Sequence, residues 1–300
     1  MDHSALIKTI GINEVPAISK LIELSQDETW NGMKARGIGS IEICTLIAPT
    51  QEIADRMAEQ AKHYKANLDS YFAKIQSTDD LSNMEALVNS IRACELEVYS
   101  CHLMGAGMYP AYIVQCIPFI RAIHKKLNIS NFVISLNLES IESVQEFIPC
   151  VEAAAKELSP NGITLCYHNH HMDSTRFKNG KSPIEMMMEN CPHLMIQLDT
   201  GWAWYGGMNP VQFIKDNYER IASLHLKDLT DDSREREDKG KFTAIGYGAT
   251  PIRECLEAMD LCKLKEGMLI IDQDESAGDM FDDVEKGVKF VKKCLMQSFS

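Results

Sequence analysis

Three histidines fall within four positions in the stretch LCYHNHHMDS, residues 165–174, directly after an apolar run. Side chains alternate across a β-strand, so residues i and i+2 share a face. With ITLCYHNH (163–170) as a strand, Thr164, Cys166, His168 and His170 share one face, and Ile163, Leu165 and Tyr167 the other. The bulky apolar set suits a helix layer outside, which turns His168 and His170 inward and leaves His171 out of phase. The same phase recurs. Gln197 and Asp199 oppose Ile196 and Leu198 in LMIQLDTG; Ser223, His225 and Lys227 oppose Leu224 and Leu226 in IASLHLKD; Asp272 and Asp274 oppose Ile271 in GMLIIDQDES. Upstream, Ser135, Asn137 and Glu139 share a phase in NFVISLNLES, as do Ser100 and His102 in LEVYSCH.

Burying so many ionisable groups in one place costs several kcal/mol per ion unless they are paired. A divalent cation removes that cost. His168, Asp199, His225 and Asp272 offer two imidazoles and two carboxylates from four consecutive strands, a donor set suited to zinc or manganese first and to magnesium, cobalt or iron after them. Blander readings stand beside this one. A strand histidine is more often a hydrogen-bonded core or surface group, and Asp199 in DTGW has the form of a helix cap. Four successive runs ending in ligand-type residues of one phase favour the metal centre.

Around such a centre, His170 is the first choice of general base and Glu139 the second. Lys227 would stabilise an oxyanion or exchange protons itself, or else pair with Asp228, Asp199 or Asp274. His102 would orient a hydroxyl. Trp202, Trp204 and Tyr205 would wall a pocket and stack on a sugar face, unless they serve packing alone.

The elements that must position these groups are eight short β-rich runs, at 18–25, 38–45, 96–102, 131–140, 163–170, 194–201, 221–228 and 267–276, separated by helical segments. Helices are expected at 143–158, 183–191, 210–218 and 251–259, with a closing helix from Met280. Eight βα units in 300 residues predict an α/β fold, a single (β/α)8 barrel domain spanning the chain. A doubly wound open sheet is the alternative, but no Gly-rich phosphate loop follows the first run. Residues 49–95 exceed one crossover helix and predict two or three helices; the charged, Gly-punctuated stretch 229–250 reads as a solvated loop or as a lid over the barrel mouth.

A formal charge of −13 repels phosphate backbones, so a small ligand is expected rather than nucleic acid. Ten cysteines without a CxxC pair read as reduced core thiols. No apolar run reaches membrane-span length, and the first residues lack the layout of a secretory signal, which predicts a cytoplasmic chain without membrane partners.

The motifs YHNHHMDS, IQLDTGWAWYGGMNP, RIASLHLKDL, IGYGATPI and LIIDQDES occur in an order and spacing that resemble the sugar phosphate isomerase/epimerase family, the xylose isomerase-like TIM barrels. The resemblance runs from about Asp27 to the C-terminus. That family includes ketose 3-epimerases, hydroxypyruvate isomerases, inosose dehydratases and, more distantly, apurinic endonucleases. Its ketose epimerases hold one divalent ion, commonly manganese, with Glu, Asp, His and Glu from the fifth to eighth strands. Asp199 and His225 match the middle two, while His168 and Asp272 stand where the glutamates would be. Those glutamates are also the epimerases' acid/base pair, so proton transfer must be reassigned here. Trp202 stands where the endonucleases place a further metal-binding histidine, which argues against DNA repair. The resemblance implies a metal-dependent isomerase or epimerase of a sugar, keto-sugar or polyol derivative, working through an enediolate, and by analogy a homo-oligomer. A dehydratase acting by β-elimination on a keto-sugar or keto-inositol is the alternative, favoured by the missing glutamate pair; a non-catalytic sugar-binding barrel is the third.

Overall fold

Strands β1 (Ile10–Asn13), β2 (Ser40–Ile47), β4 (Glu97–Met104), β5 (Asn131–Ile134), β6 (Thr164–His168), β7 (Met195–Asp199), β8 (Ile221–Leu226) and β11 (Leu269–Ile271) pair in parallel in that order, and β11 returns to β1. The sheet is thus a closed eight-stranded barrel in this computed structural model, which describes residues 10–21, 23–55, 73–105, 109–136, 138–235, 241–259 and 267–297. Three short strands lie outside it: β3 (Ala73–Ile75) extends the end of β2, and β9 (Asp228–Leu229) pairs antiparallel with β10 (Phe242–Thr243).

Helices cover the barrel because their apolar stripes recur at helical spacing. In Ile141–Leu158 the buried positions are Val144, Phe147, Val151, Ala154, Ala155 and Leu158, and burying each larger side chain contributes roughly 1.5–3 kcal/mol. Ser140 and Ser182 open their helices with reciprocal capping boxes, so the strand-to-helix turns are set locally. Helices at Pro183–Asn190, Pro210–Asn217, Ile252–Ala258 and Met280–Gln297 follow the expected ranges to within a residue or two. Nine cysteines among the described residues are free thiols, eight of them buried. No helix among the described residues is long and apolar enough to cross a membrane.

The first expected strand is a correction. The described residues of 18–25 are not a strand: Ile18 to Leu21 close the helix Glu14–Leu21, and the opening strand is the four-residue IGIN before it. A short run with β-branched residues carries no period of its own, and here Pro16, Ala17 and Ile18 are buried on a helical face. The expected elaboration at 49–95 is a mixture, with β3 and the helix Ser82–Ala93 in its described part; residues 56–72 lie outside the described residues. Residues 236–240 of the expected lid and Asn137 also lie outside them. The rest of that lid is anchored. Asp228 accepts hydrogen bonds from the backbone N–H groups of Gly246, Gly248 and Thr250 at 2.8, 2.9 and 3.1 Å, and a side chain at Gly248 would strike Leu229 O and the Asp228 carboxylate.

The turn from β1 into its helix buries Glu14 completely. Its Oε2 accepts from Cys44 N at 2.7 Å, while Oε1 has no partner. Burial pushes the carboxyl up to about 8, opposed by the Cys44 N–H. The folded protein therefore holds a proton there that the unfolded chain releases near pH 4.5, and the stability this group contributes below pH 4.5 is lost as pH rises through 8. Glu14→Gln carries no such titration and keeps the acceptor for Cys44. We expect its stability to match wild type at pH 5 and to exceed it at pH 9 by a few kcal/mol at the order-of-magnitude level, measured by denaturant unfolding.

Candidate metal centre

The barrel register brings the candidate donors together. His168 is level with Gln197 on the next strand, Asp199 is level with His225, and Asp272 follows Ile271, which pairs with Leu226. One donor atom from each of His168, Asp199, His225 and Asp272 lies within 4.8 Å of the other three, and all four residues are buried. The expected cluster is present, with both imidazoles and both carboxylates at the C-terminal ends of the strands.

Each imidazole is oriented from behind. His168 Nδ1 lies 3.0 Å from Gln197 Oε1, and Gln197 Nε2 donates to Glu42 Oε2 at 2.6 Å. A carboxylate only accepts, so Glu42 sets the amide orientation, which leaves the proton on His168 Nδ1 and a lone pair on Nε2. That Nε2 lies 3.9 Å from Asp199 Oδ2. In the metal-free protein His225 donates through Nε2 to Glu42 Oε1 and through Nδ1 to Asp272 Oδ2, both at 2.9 Å, and a cation held by His225 would take the place of the Nδ1 proton. Glu42 also accepts from Asn13 Nδ2 at 2.8 Å and Ser100 Oγ at 2.6 Å. A single buried carboxylate thus ties four strands to both imidazoles, the arrangement that commonly supports metal-binding histidines from behind.

The electrostatics follow from these contacts. Burial alone would depress His225, but Glu42 and Asp272 outweigh it and push its pKa up to about 10. Burial likewise raises Glu42, yet His225 and His102 hold it well below the usual carboxylate range. Desolvation, with His225 nearby, keeps His168 neutral. Asp199 differs. Its Oδ1 caps the helix Thr200–Tyr205 by accepting from Trp202 N at 2.7 Å, whereas its buried Oδ2 has no hydrogen-bond partner. Burial, reinforced by Asp272 and opposed by Lys227, raises its pKa. A carboxylate oxygen without a hydrogen bond beside an imidazole lone pair is what a bound cation would satisfy, so the residues fit a divalent metal; Asp199 is the cap through Oδ1, and its Oδ2 is left over for a cation, so the two alternatives are compatible. Gly201 permits the close approach of this helix to β8, because a side chain there would meet Lys227 O.

The expected neighbours mostly converge. The His170 ring packs 5.1 Å from that of His168 and 6.5 Å from that of Trp202, and burial with Lys227 nearby lowers its pKa to about 4. Lys227 is 1% exposed and contacts Asp274 Oδ1 at 2.8 Å and Asp272 Oδ2 at 3.0 Å. Burial would lower its pKa, but Asp272, Asp274 and Asp199 hold it above the usual lysine range, so in the metal-free protein it is held as a cation. His102 bonds Ser135 Oγ at 3.0 Å and stands edge-on to His168. Trp202, Tyr205 and His171 form an aromatic wall, with Trp204 farther out under Arg234. Glu139 does not join them. β5 ends at Ile134, so the alternation stops before residue 139, which is exposed next to the cap at Ser140.

Sequence reasoning missed Glu42 and the bridging role of Gln197. Glu42 shares the inward phase of Ser40 and Cys44, the rule already applied to the other strands. Near His170, Asp173 is a further missed group: buried, raised by burial to about 7, and bonded through Oδ2 to His170 N at 2.6 Å. A cavity of about 770 Å³ opens at the opposite end of the barrel, among Tyr99, Asn131, Thr164, Met195 and Met268, and contains none of these groups.

Similar proteins agree with this architecture. An inosose dehydratase of Clostridium beijerinckii is 26% identical over 145 residues, 44% of this chain and 48% of that protein, so the chain spans about half the length of the curated relatives it matches. A sugar phosphate isomerase/epimerase structure from Parabacteroides distasonis superposes with a TM-score of 0.68 at 16% identity, covering 94% of this chain and 93% of that one. The structure of IolI protein with a bound zinc atom superposes with a TM-score of 0.58 at 14% identity, over 96% and 97% of the two chains. The family description for the xylose isomerase-like TIM barrel matches residues 33–294, and the chain belongs to that family.

Proposed function

We propose that the protein is a metal-dependent lyase that removes water from a β-hydroxy ketone of the sugar or inositol class. The observation that carries this reading is the asymmetry of the mouth: one imidazole, His170, and one ammonium, Lys227, held by two carboxylates, in place of two matched acids facing each other. Epimerisation needs partners on both faces of a carbon, whereas elimination needs a base and a leaving-group acid along one path. The sequence placed isomerisation first; the similarity to inosose dehydratases supports elimination over it.

The donors His168, Asp199, His225 and Asp272 would hold the cation, as the zinc in the IolI structure encourages. When bound, a divalent cation supplies Lewis-acid stabilisation of the charge that develops on the ketone oxygen. His170 takes the proton from the carbon beside the ketone. The electron pair of that C–H bond forms the new double bond as the β-hydroxyl leaves, and the proton on His170 completes the departing water. Lys227 adds a fixed positive charge beside the developing anion. Trp202 and Tyr205 shield the ring face from solvent, and His102 positions a hydroxyl.

Incubation of the metal-loaded protein with cyclic and open-chain β-hydroxy ketones in deuterated water tests this. The expected product has lost one water and absorbs in the ultraviolet as an enone. Deuterium incorporation without loss of water would instead establish isomerisation, and neither water loss nor deuterium incorporation with any ketone would remove both.

A further inference from the structure

Among the described residues, two cations next to the aromatic wall, Lys241 and Arg234, have no carboxylate partner, in a chain of net charge −13. Lys241 Nζ stands 5.5 Å from the centre of the Trp202 ring, the ring that also lies 5.3 Å from Lys227 Nζ. The Arg234 guanidinium stands 5.0 Å from the Trp204 ring and 5.9 Å from that of Tyr205, and donates to Trp204 O at 3.0 Å. Arg234 spends only one of its donors, and Lys241 spends none on a protein oxygen.

Both cations are placed by framework. Lys241 precedes Phe242 of the β9–β10 pair, whose ring meets Trp202 at 5.9 Å, and Asp228 fixes the returning chain through three backbone bonds. Lys241 shares the Trp202 ring that faces His170, and Arg234 lies against the Trp204 and Tyr205 rings of the same short helix. A neutral polyol would gain as much from amides or hydroxyls here, and an acidic chain repels anions unless positive charge is concentrated where they enter.

We propose that Lys241 and Arg234 receive an anionic group, a carboxylate or a phosphate, carried by the substrate at the end remote from the reacting carbon. This rests on the reading of the site given under Proposed function, and it narrows the substrate to an acidic or phosphorylated keto-polyol.

The test is titration of tryptophan fluorescence with inorganic phosphate, with acetate and with glycerol as neutral control, in manganese-loaded and metal-stripped protein. Saturable quenching by at least one anion and none by glycerol is expected, and the anion that saturates lower identifies the group. Lys241→Gln combined with Arg234→Gln should weaken that anion about tenfold or more while leaving manganese affinity unchanged. Absence of saturable quenching in wild type, or equal affinity in the double variant, overturns the proposal. Manganese titration of the same samples reads the metal centre independently: anion binding without metal binding would sink the lyase reading alone, and metal binding without anion binding the anion site alone.

Discussion

Asp199→Asn is expected to lower affinity for manganese or zinc by about a hundredfold or more and to remove turnover with it, while the metal-free protein becomes slightly more stable. The two signs separate because Asp199 has two tasks on two oxygens. Its Oδ1 caps the helix Thr200–Tyr205 through Trp202 N, and asparagine caps about as well as aspartate, so the helix persists. Its Oδ2 is buried without a hydrogen-bond partner, and burial and Asp272 raise the pKa against the pull of Lys227 3.8 Å away. Removing that charge relieves an unfavourable group in the metal-free protein and deletes a donor in the loaded one. Calorimetric metal titration and thermal unfolding with chelator check the pair. If affinity is unchanged, Asp199 is a cap and nothing more, and the candidate centre loses its most exclusive donor.

Much of this was legible from alternation alone. Strands β6, β7 and β8 show bulky apolar residues in one phase and polar or ionisable ones in the other, Asp272 follows directly on β11, and a closed barrel converts that phase into a common interior. Alternation works only while a segment remains a strand. It placed Lys227, which follows directly on β8, and failed for Glu139, where the chain leaves β5 and turns toward the Ser140 cap. β1 was hidden for a different reason: four residues give two alternations, too few to compete with the neighbouring ISKLIELS, of which a helix buries Ile18 and Lys20. Protonation could not be read either. Lys227 stood open between proton exchange and ion pairing until Asp272, Asp274 and Asp199 were found around it, because partners from two other strand ends are not visible along one. The anchored part of 229–250 is similar: its charges suggest solvent, and only Asp228, at the start of the segment, shows why its far end is held in place.

Glu42→Gln should produce the largest coupled loss in the molecule. The carboxylate accepts from Asn13, Ser100, Gln197 and His225, all buried. An amide offers one acceptor oxygen and one NH2, so at least one of these donors then faces another donor, and a buried unsatisfied or opposed polar group costs about 1–3 kcal/mol, more where a charge is involved. His225 also loses one of the two anions that sustain its proton, and Gln197 loses the contact that fixes its amide and, through it, the lone pair on His168 Nε2. The expectation is a stability loss of about 2–4 kcal/mol and metal affinity lowered about ten- to a hundredfold. Because the four donors remain, activity at saturating metal should recover further than in Asp199→Asn. Denaturant unfolding, metal titration and turnover against metal concentration read the three effects separately. A variant with wild-type metal affinity but reduced stability would make Glu42 a structural strut, and the orientation of both imidazoles would have to come from elsewhere in the barrel.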